Sequence, residues 1–276
     1  KVAFVRGTTL AEQRVWVMDA NGSNQRQLTT MPSGGPAFTP DGRVSFRAQT
    51  GTTPTGEGIY EFLIVPVSGG TPTHLAPASG THRPPRWTSS GAYEYSKFMP
   101  IPGTTDSSEQ IFVVVDGQEH QVTFPQQGLQ SNAFGELSPD AKTVYYFRKD
   151  AIYKAPAVAG GGASEVQLTP TPPPGQSGKS FRAPSPSPDG TRLVVQNNQA
   201  PSPTSLYTLK TDGSELTPLP LPGVVSASFP YWAPAASGVP PQPSPTINAT
   251  APSKLGYTET LPVKLTARHA SYNVTV

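Results

Sequence analysis

The 276-residue chain contains no cysteine, four histidines and only 14% charged residues. Without cysteine there is no disulfide, no thiol nucleophile and no thiolate metal ligand. A net charge of +2 supplies no broad positive field for nucleic acid, although the sequence pI is about 8.8. No apolar run approaches the ~18 residues of a membrane-spanning helix. Helical bundles and coiled coils need Leu, Glu and Lys in quantity, and that composition is missing too. The chain starts at Lys1 in a strand-like sequence, without an initiator Met or a signal-like stretch. It is therefore expected to be an exported protein after processing, or a piece of a longer one.

Present instead are 34 Pro, 26 Gly, 30 Thr, 26 Ser and 24 aromatic residues. Many short strands joined by Gly/Pro turns account for this mixture. The Pro and Gly fall into a repeat. Thr39-Pro40-Asp41-Gly42 recurs as Thr88-Ser89-Ser90-Gly91, Ser138-Pro139-Asp140-Ala141, Ser187-Pro188-Asp189-Gly190 and Ala233-Pro234-Ala235-Ala236, at spacings of 49, 50, 49 and 46. In each turn Pro presets φ, the carboxylate binds nearby amides and Gly takes positive φ. Asp41, Asp140 and Asp189 thus read as structural turn residues, since a residue repeated in every unit seldom marks one active site.

A large apolar residue precedes most of these turns: Phe38, Trp87, Leu137 and Trp232. A second strand follows, as in Thr143–Phe147, and a third, as in Ile111–Val114. A weaker fourth strand ends each unit near Leu28, Leu75, Val122, Leu168 and Leu219. Asn21-Gly22, Gly69-Gly70, Asp116-Gly117 and Asp212-Gly213 supply the turns between the third and fourth strands. Four short strands per unit of about 48 residues predict an all-β fold, a five-bladed β-propeller over residues 1–236. The fifth unit has a first strand at 229–232 but lacks a second, while Val2–Val5 is a second strand without a first. Joining them closes the ring through the N-terminal strand.

Lys1–Gly7, Arg14–Ser23 and Arg26–Thr29 resemble the repeat of TolB-type propellers, and related repeats occur in the propellers of prolyl-oligopeptidase-like enzymes. Five units are fewer than the six or more common in that family. The resemblance implies an exported propeller used for protein contacts, or a domain attached to an enzyme. It carries no catalytic residue onto this chain.

Residues 237–256 form a Pro-rich spacer that includes Val239–Thr246. About 18 extended residues at roughly 3.1 Å each reach on the order of 50 Å. In the tail, residues 257–276, Leu261, Val263, Leu265 and Ala267 alternate with polar residues, and Tyr272, Val274 and Val276 resume the alternation. The pattern predicts one bulged β-strand or two strands. No partner strand is evident within the tail, and a lone strand is not stable in water. It is expected to add to a neighbouring copy, to dock on its own propeller, or to begin an Ig-like domain.

Other motifs read as ordinary structure. His74 takes the slot held by Gln27, Gln121 and Gln167, and no histidine shows metal-ligand spacing. Asp19–Ser23 begins like a calcium loop, but the twelfth position is Thr30. Gly178-Lys179-Ser180 lacks the upstream Gly of a phosphate loop, and no Gly-x-Ser-x-Gly elbow occurs. Arg83 and Arg86, beside His82 and Trp87, fit a cation–aromatic stack or a plain loop better than a binding mouth. Three Asn-x-Ser/Thr sequons occur at Asn21, Asn248 and Asn273, as expected by chance in a Thr-rich chain.

The sequence thus predicts a non-enzymatic, extracellular or cell-surface protein without cofactor or metal. It predicts self-association through the tail into a homo-oligomer or filament, with no nucleic-acid partner and no membrane span. The alternative is a periplasmic protein-binding module with its tail folded back. An enzyme with channel carboxylates is the third class.

Overall fold

The computed structural model describes residues 1–52, 58–78, 85–126, 128, 131–171, 180–197, 206–219, 230 and 232, and the backbone of 262–267 and 270–275. The chain divides into two units, Lys1–Ala233 and Pro234–Val276.

The first unit holds five antiparallel sheets in chain order. The first has three strands, β1 (Val2–Arg6), β2 (Arg14–Met18) and β3 (Arg26–Gln27). The second comprises β4 (Ser33–Phe38), β5 (Val44–Thr52), β6 (Gly58–Val65) and β7 (Thr73–Ala78). The third comprises β8 (Arg86–Trp87), β9 (Tyr93–Pro100), β10 (Ser107–Val115) and β11 (Gln118–Gln121). In the fourth are β12 (Ala133–Leu137), β13 (Thr143–Arg148), β14 (Ala151–Pro156) and β15 (Val166–Gln167). The fifth has β16 (Phe181–Pro186), β17 (Arg192–Asn197), β18 (Leu206–Lys210) and β19 (Thr217–Pro218). A single 3₁₀ turn at Gly161–Ser164 is the one helical element among the described residues.

Local chemistry sets each sheet. The repeat turns join first to second strands, and their last residues, Gly42, Gly91, Ala141 and Gly190, all have positive φ. Ser138 Oγ donates to Asp140 Oδ1 at 2.6 Å, and Lys142 N donates to the same oxygen at 3.1 Å. Asp189 repeats this with Ser187 and Thr191, and Asp41 with Thr39 and Arg43. Asp116-Gly117 makes a two-residue hairpin with both φ positive, as its type requires.

The last strands of the first, third and fourth sheets end on a second device. Thr29, Thr123 and Thr169 each accept, through Oγ1 at 2.9 Å, the backbone N–H of Val15, Ile111 and Ile152 on the strand paired with that last strand. Gln27, Gln121 and Gln167 each donate to the carbonyl of that Thr. The Gln-apolar-Thr triplet thereby satisfies a buried N–H beyond the end of the ladder, where leaving it unpaired would cost about 1–3 kcal/mol.

Apolar residues pack sheet against sheet. Val15 and Val17 cluster with Val44, Phe46 and Val65, while Phe62 meets Tyr93, Tyr95 and Phe112. Ile111 and Val113 meet Val144 and Tyr146, and Tyr145 and Ile152 meet Phe181, Leu193 and Val195. Each sheet thus buries side chains against its neighbour in sequence. Each of these side chains contributes roughly 1.5–3 kcal/mol when fully buried.

Two expectations are revised. Residues 230 and 232 are not in a strand, 229 and 231 lie outside the described residues, and β1 pairs with β2 alone among the described residues. The ring is therefore not closed in this structure. Within the second unit, the tail forms two strands, β20 (Pro262–Ala267) and β21 (Ala270–Thr275), which pair with each other. The expectation of a tail without an internal partner was wrong. Ala267 stands opposite Ala270 at the end of this pairing.

Candidate functional site

The first strands of three sheets are broken by a bulge at one repeat position. Register shifts fall at Gly34/Ala37, Ala133/Glu136 and Arg182/Ser185, and Gly35, Phe134 and Ala183 there have φ of 59°, 55° and 51°. Such bulges bend a strand and re-aim its side chains. Positive φ at Phe134 and Ala183 costs about 1 kcal/mol or more each, which the surrounding packing must offset.

Polar groups collect beside these bulges. Glu94, Glu109 and Glu136 are only 4–6% exposed, while Arg47, Arg86 and Arg182 are half-buried. Arg86 stands opposite Glu94 in the β8–β9 register, and Ser96 Oγ donates to Glu109 Oε1 at 2.6 Å. None of the six lacks a partner. Buried carboxylates and half-buried guanidiniums need such partners to offset the loss of water. Among the described residues, no group of three His, Asp or Glu could hold a metal ion.

One repeat position on the second strands reaches the neighbouring sheet. Trp87 Nε1 donates to Ser45 Oγ at 3.0 Å, and Ser45 Oγ passes the bond on to the Ala37 carbonyl at 3.2 Å. At the next junction the Glu94 carboxylate lies where a Cβ on Gly135 would sit. After the fifth sheet, Trp232 Nε1 donates straight to the Ser185 carbonyl at 2.9 Å. Ser185 occupies the place of Ala37, and Val194 opposite it has no hydroxyl to act as relay. Trp232 therefore holds the same place beyond the fifth sheet that Trp87 holds beyond the second.

A second pair recurs in the third and fourth sheets. Tyr95 donates its hydroxyl to Glu119 and Tyr146 donates to Glu165, each spanning the third strand. The rings of Phe112 and Tyr153 lie beneath, with Lys97 and Arg148 above them at 4.1 and 4.2 Å. Burial first, and then the carboxylate bond, pushes both phenols up. These groups are locked neutral donors, unsuited to acid–base work.

Two pockets open where the 7–13 and 101–106 loops lie. One, of about 300 Å³, is lined by Leu10, Gln13, Gly34, Arg47, Gln49 and Tyr60 among others. The other, of about 790 Å³, lies between Ile101, Asp106, Ser131 and Phe147.

The residues singled out in the sequence fall elsewhere. Asp41, Asp140 and Asp189 sit in the turns, away from both pockets, their carboxyls lowered by hydrogen bonds from Arg43, Ser138 and Ser187 respectively. Val263, Leu265 and Ala267 lie in β20 and Tyr272 and Val274 in β21, while Leu261 and Val276 lie outside the described residues, as do His82 and Arg83. Arg47 and Glu94 escaped notice. Their signal was a lone charge inside an apolar second strand, Val44-Ser45-Phe46-Arg47-Ala48 and Tyr93-Glu94-Tyr95.

No family model matches the chain, and no curated protein matches it. Solved structures do. The putative TolB of Agrobacterium tumefaciens superposes with a TM-score of 0.54 at 16% identity, over 76% of this chain and 74% of that one. An oligogalacturonate lyase in complex with manganese gives 0.52 at 17%, over 75% and 58%. The fold is that of a β-propeller, TolB-like in its sheets. The GH74 enzyme of Niastella koreensis gives 0.50 at 15% identity, over 78% of this chain and 35% of that one. The lyase and the GH74 enzyme both extend well beyond the part this chain matches. At these identities the likeness concerns the fold alone.

Proposed function

We propose that the protein is a non-enzymatic, exported propeller that self-associates through its C-terminal tail, as an extracellular or cell-surface subunit of an oligomer or filament. The carrying observation is the β20–β21 hairpin, set apart from the blades by a Pro-rich spacer. Its register matches Val263 with Val274 and Leu265 with Tyr272, so the apolar alternations of the two strands coincide. A two-stranded hairpin alone is marginal in water and gains stability by adding to a sheet or an apolar surface. If each copy gives its hairpin to the next, the contact is head-to-tail and builds a closed ring or a filament.

The propeller itself, in this reading, has five blades. The last is built from the segment around Trp232 together with β1, β2 and β3. Its support is the hydrogen-bond geometry that Trp232 shares with Trp87. The edge of β1 away from β2, which has no strand partner among the described residues, is where that strand would pair.

Deleting residues 254–276 tests the assembly. A folded monomer by light scattering, from a full chain that assembles, is the expected result; assembly that survives the deletion sinks it. The second reading is a periplasmic protein-binding module, favoured by the likeness to the TolB structure. It predicts a full chain that stays monomeric at high concentration.

A further inference from the structure

We propose that the open pocket between the 101–106 loop and the start of the fourth sheet is a binding site for a neutral sugar. It encloses about 790 Å³, within the range of small-molecule sites. Asp106, Ser107, Ser108 and Ser131 bring polar groups to it, while Ile101 and Phe147 bring apolar surface. Its described lining holds one carboxylate and no Lys, Arg or His. A sugar ring presents the matching chemistry, with rim hydroxyls that both donate and accept, and C–H groups on its faces.

The serine hydroxyls are held in place by bonds they accept. Glu109 N donates to Ser131 Oγ at 3.0 Å. Gln110 Nε2 donates to Ser108 Oγ at 2.8 Å, and Gln110 Oε1 accepts from Asn132 Nδ2 at 3.0 Å. Ser108, Gln110 and Asn132 are all buried, so this chain of side chains fixes one wall of the pocket. A hydroxyl that accepts one bond keeps its own hydrogen and a second lone pair. Ser108 and Ser131 can therefore each donate to a ligand and accept from it. The loop is braced as well: Ile101 N donates to the Asp106 carbonyl at 2.9 Å, and Asp106 N donates to Thr104 Oγ1 at 3.1 Å. Groups fixed before binding lose little entropy on it, so more of the contact energy appears as affinity.

Phe147, half-buried in β13, supplies the apolar face. Phe134 braces its ring edge-on, with the centroids 5.9 Å apart and the planes at 63°. The small Ala133 stands opposite Phe147 in the β12–β13 register and lines the pocket too. A pyranose face laid on such a ring buries apolar surface on both sides. Asp106 sets the charge preference. Its two carboxylate oxygens suffice to accept from two neighbouring hydroxyls, and bonds to an ionised acceptor are the stronger kind. With no cation in the described lining, an anionic ligand meets repulsion. Asp106 is exposed, so screening leaves its pull on a bare cation small. These two limits leave a neutral polyol.

The probes are the methyl glycosides of glucose, galactose and mannose, titrated into the full chain and followed by amide chemical shifts. At least one is expected to saturate and to shift Ser107, Ser108, Ser131 and Ala133. The uronate counterpart of that sugar should bind about tenfold more weakly. Asp106→Asn, at an exposed loop position, should weaken the neutral sugar about tenfold and remove most of the discrimination against the uronate. Phe147→Leu should weaken it about 3- to 10-fold, and the Asp106 variant still decides if this one fails to fold. No saturable shift with any of the three sugars, or shifts confined to other sheets, would overturn the proposal. So would equal binding of the uronate, glucosamine bound about tenfold more tightly, or unchanged binding by Asp106→Asn.

Discussion

Trp232 donates its indole N–H to the Ser185 carbonyl at 2.9 Å, across the face of the fifth sheet where a further blade would begin. Trp87 makes the corresponding bond at the second sheet through Ser45. On the five-blade reading proposed above, such bonds would fix where one blade's first strand meets the blade before it. Trp232→Phe should cost about 1 kcal/mol, as a single hydrogen bond does, and Trp232→Ala about 3–5 kcal/mol. Urea denaturation of the two variants measures this. A Trp232→Ala protein as stable as wild type would remove the support for a fifth blade at this place.

Gly135 lies beneath the Glu94 carboxylate, so Gly135→Ala forces an overlap between two blades. The expected cost is about 1–3 kcal/mol. In a Glu94→Ala background the obstacle is gone, and the same change should cost less. A double-mutant cycle reads the difference; strict additivity of the two changes would mean that no such overlap exists.

Thr169 covers the backbone N–H of Ile152 through its hydroxyl. Thr169→Val keeps the shape and removes the acceptor, leaving a buried donor unpaired. A loss of about 1–3 kcal/mol is expected, and Thr123→Val should behave alike because Ile111 uses the same device. Hydrogen exchange at Ile152 and Ile111 should quicken specifically. Unchanged exchange at both amides would show that the hydroxyl bonds contribute nothing.

The turn carboxylates carry a pH dependence. Asp41 is lowered from 3.8 to about 2, first by the Arg43 side-chain bond and then by Thr39; Asp140 and Asp189 are lowered as well. A carboxyl depressed in the folded state stabilises above its unfolded pKa, and that contribution fades as pH falls through the folded value. For Asp41 the window runs from pH 3.8 down to about 2. Because these groups are solvent-exposed, screening keeps each contribution small. Thermal melts from about pH 5 to about pH 2 should show wild type losing more stability than Asp41→Asn. Parallel losses in the two proteins would contradict it.

The sheets were legible because their causes are local. Pro, Asp and Gly act within four residues of one another, and the alternation of Val44, Phe46 and Ala48 needs no knowledge of what covers them. The roles of Gln27, Gln121 and Gln167 were visible only as a recurring slot, since their bonds to the threonines two residues on require the strand to have ended there. The tail showed its alternation but not its pairing. Whether two strands join each other or a neighbour depends on the connection between them, and the polar residues 268–269 looked like a simple interruption.

By itself, then, the sequence determined a repeat of short strands, the turns that join them, the structural place of Asp41, Asp140 and Asp189, and a tail with strand character. Tertiary structure alone decided which distant residues meet. Arg47 lies on Tyr60, Glu94 covers Gly135, Tyr146 reaches Glu165 and Trp232 reaches Ser185. The reason is physical. A turn is set by dihedral preferences that each residue carries with it, whereas a pocket or a blade junction exists only after sheets far apart in the chain have packed face to face.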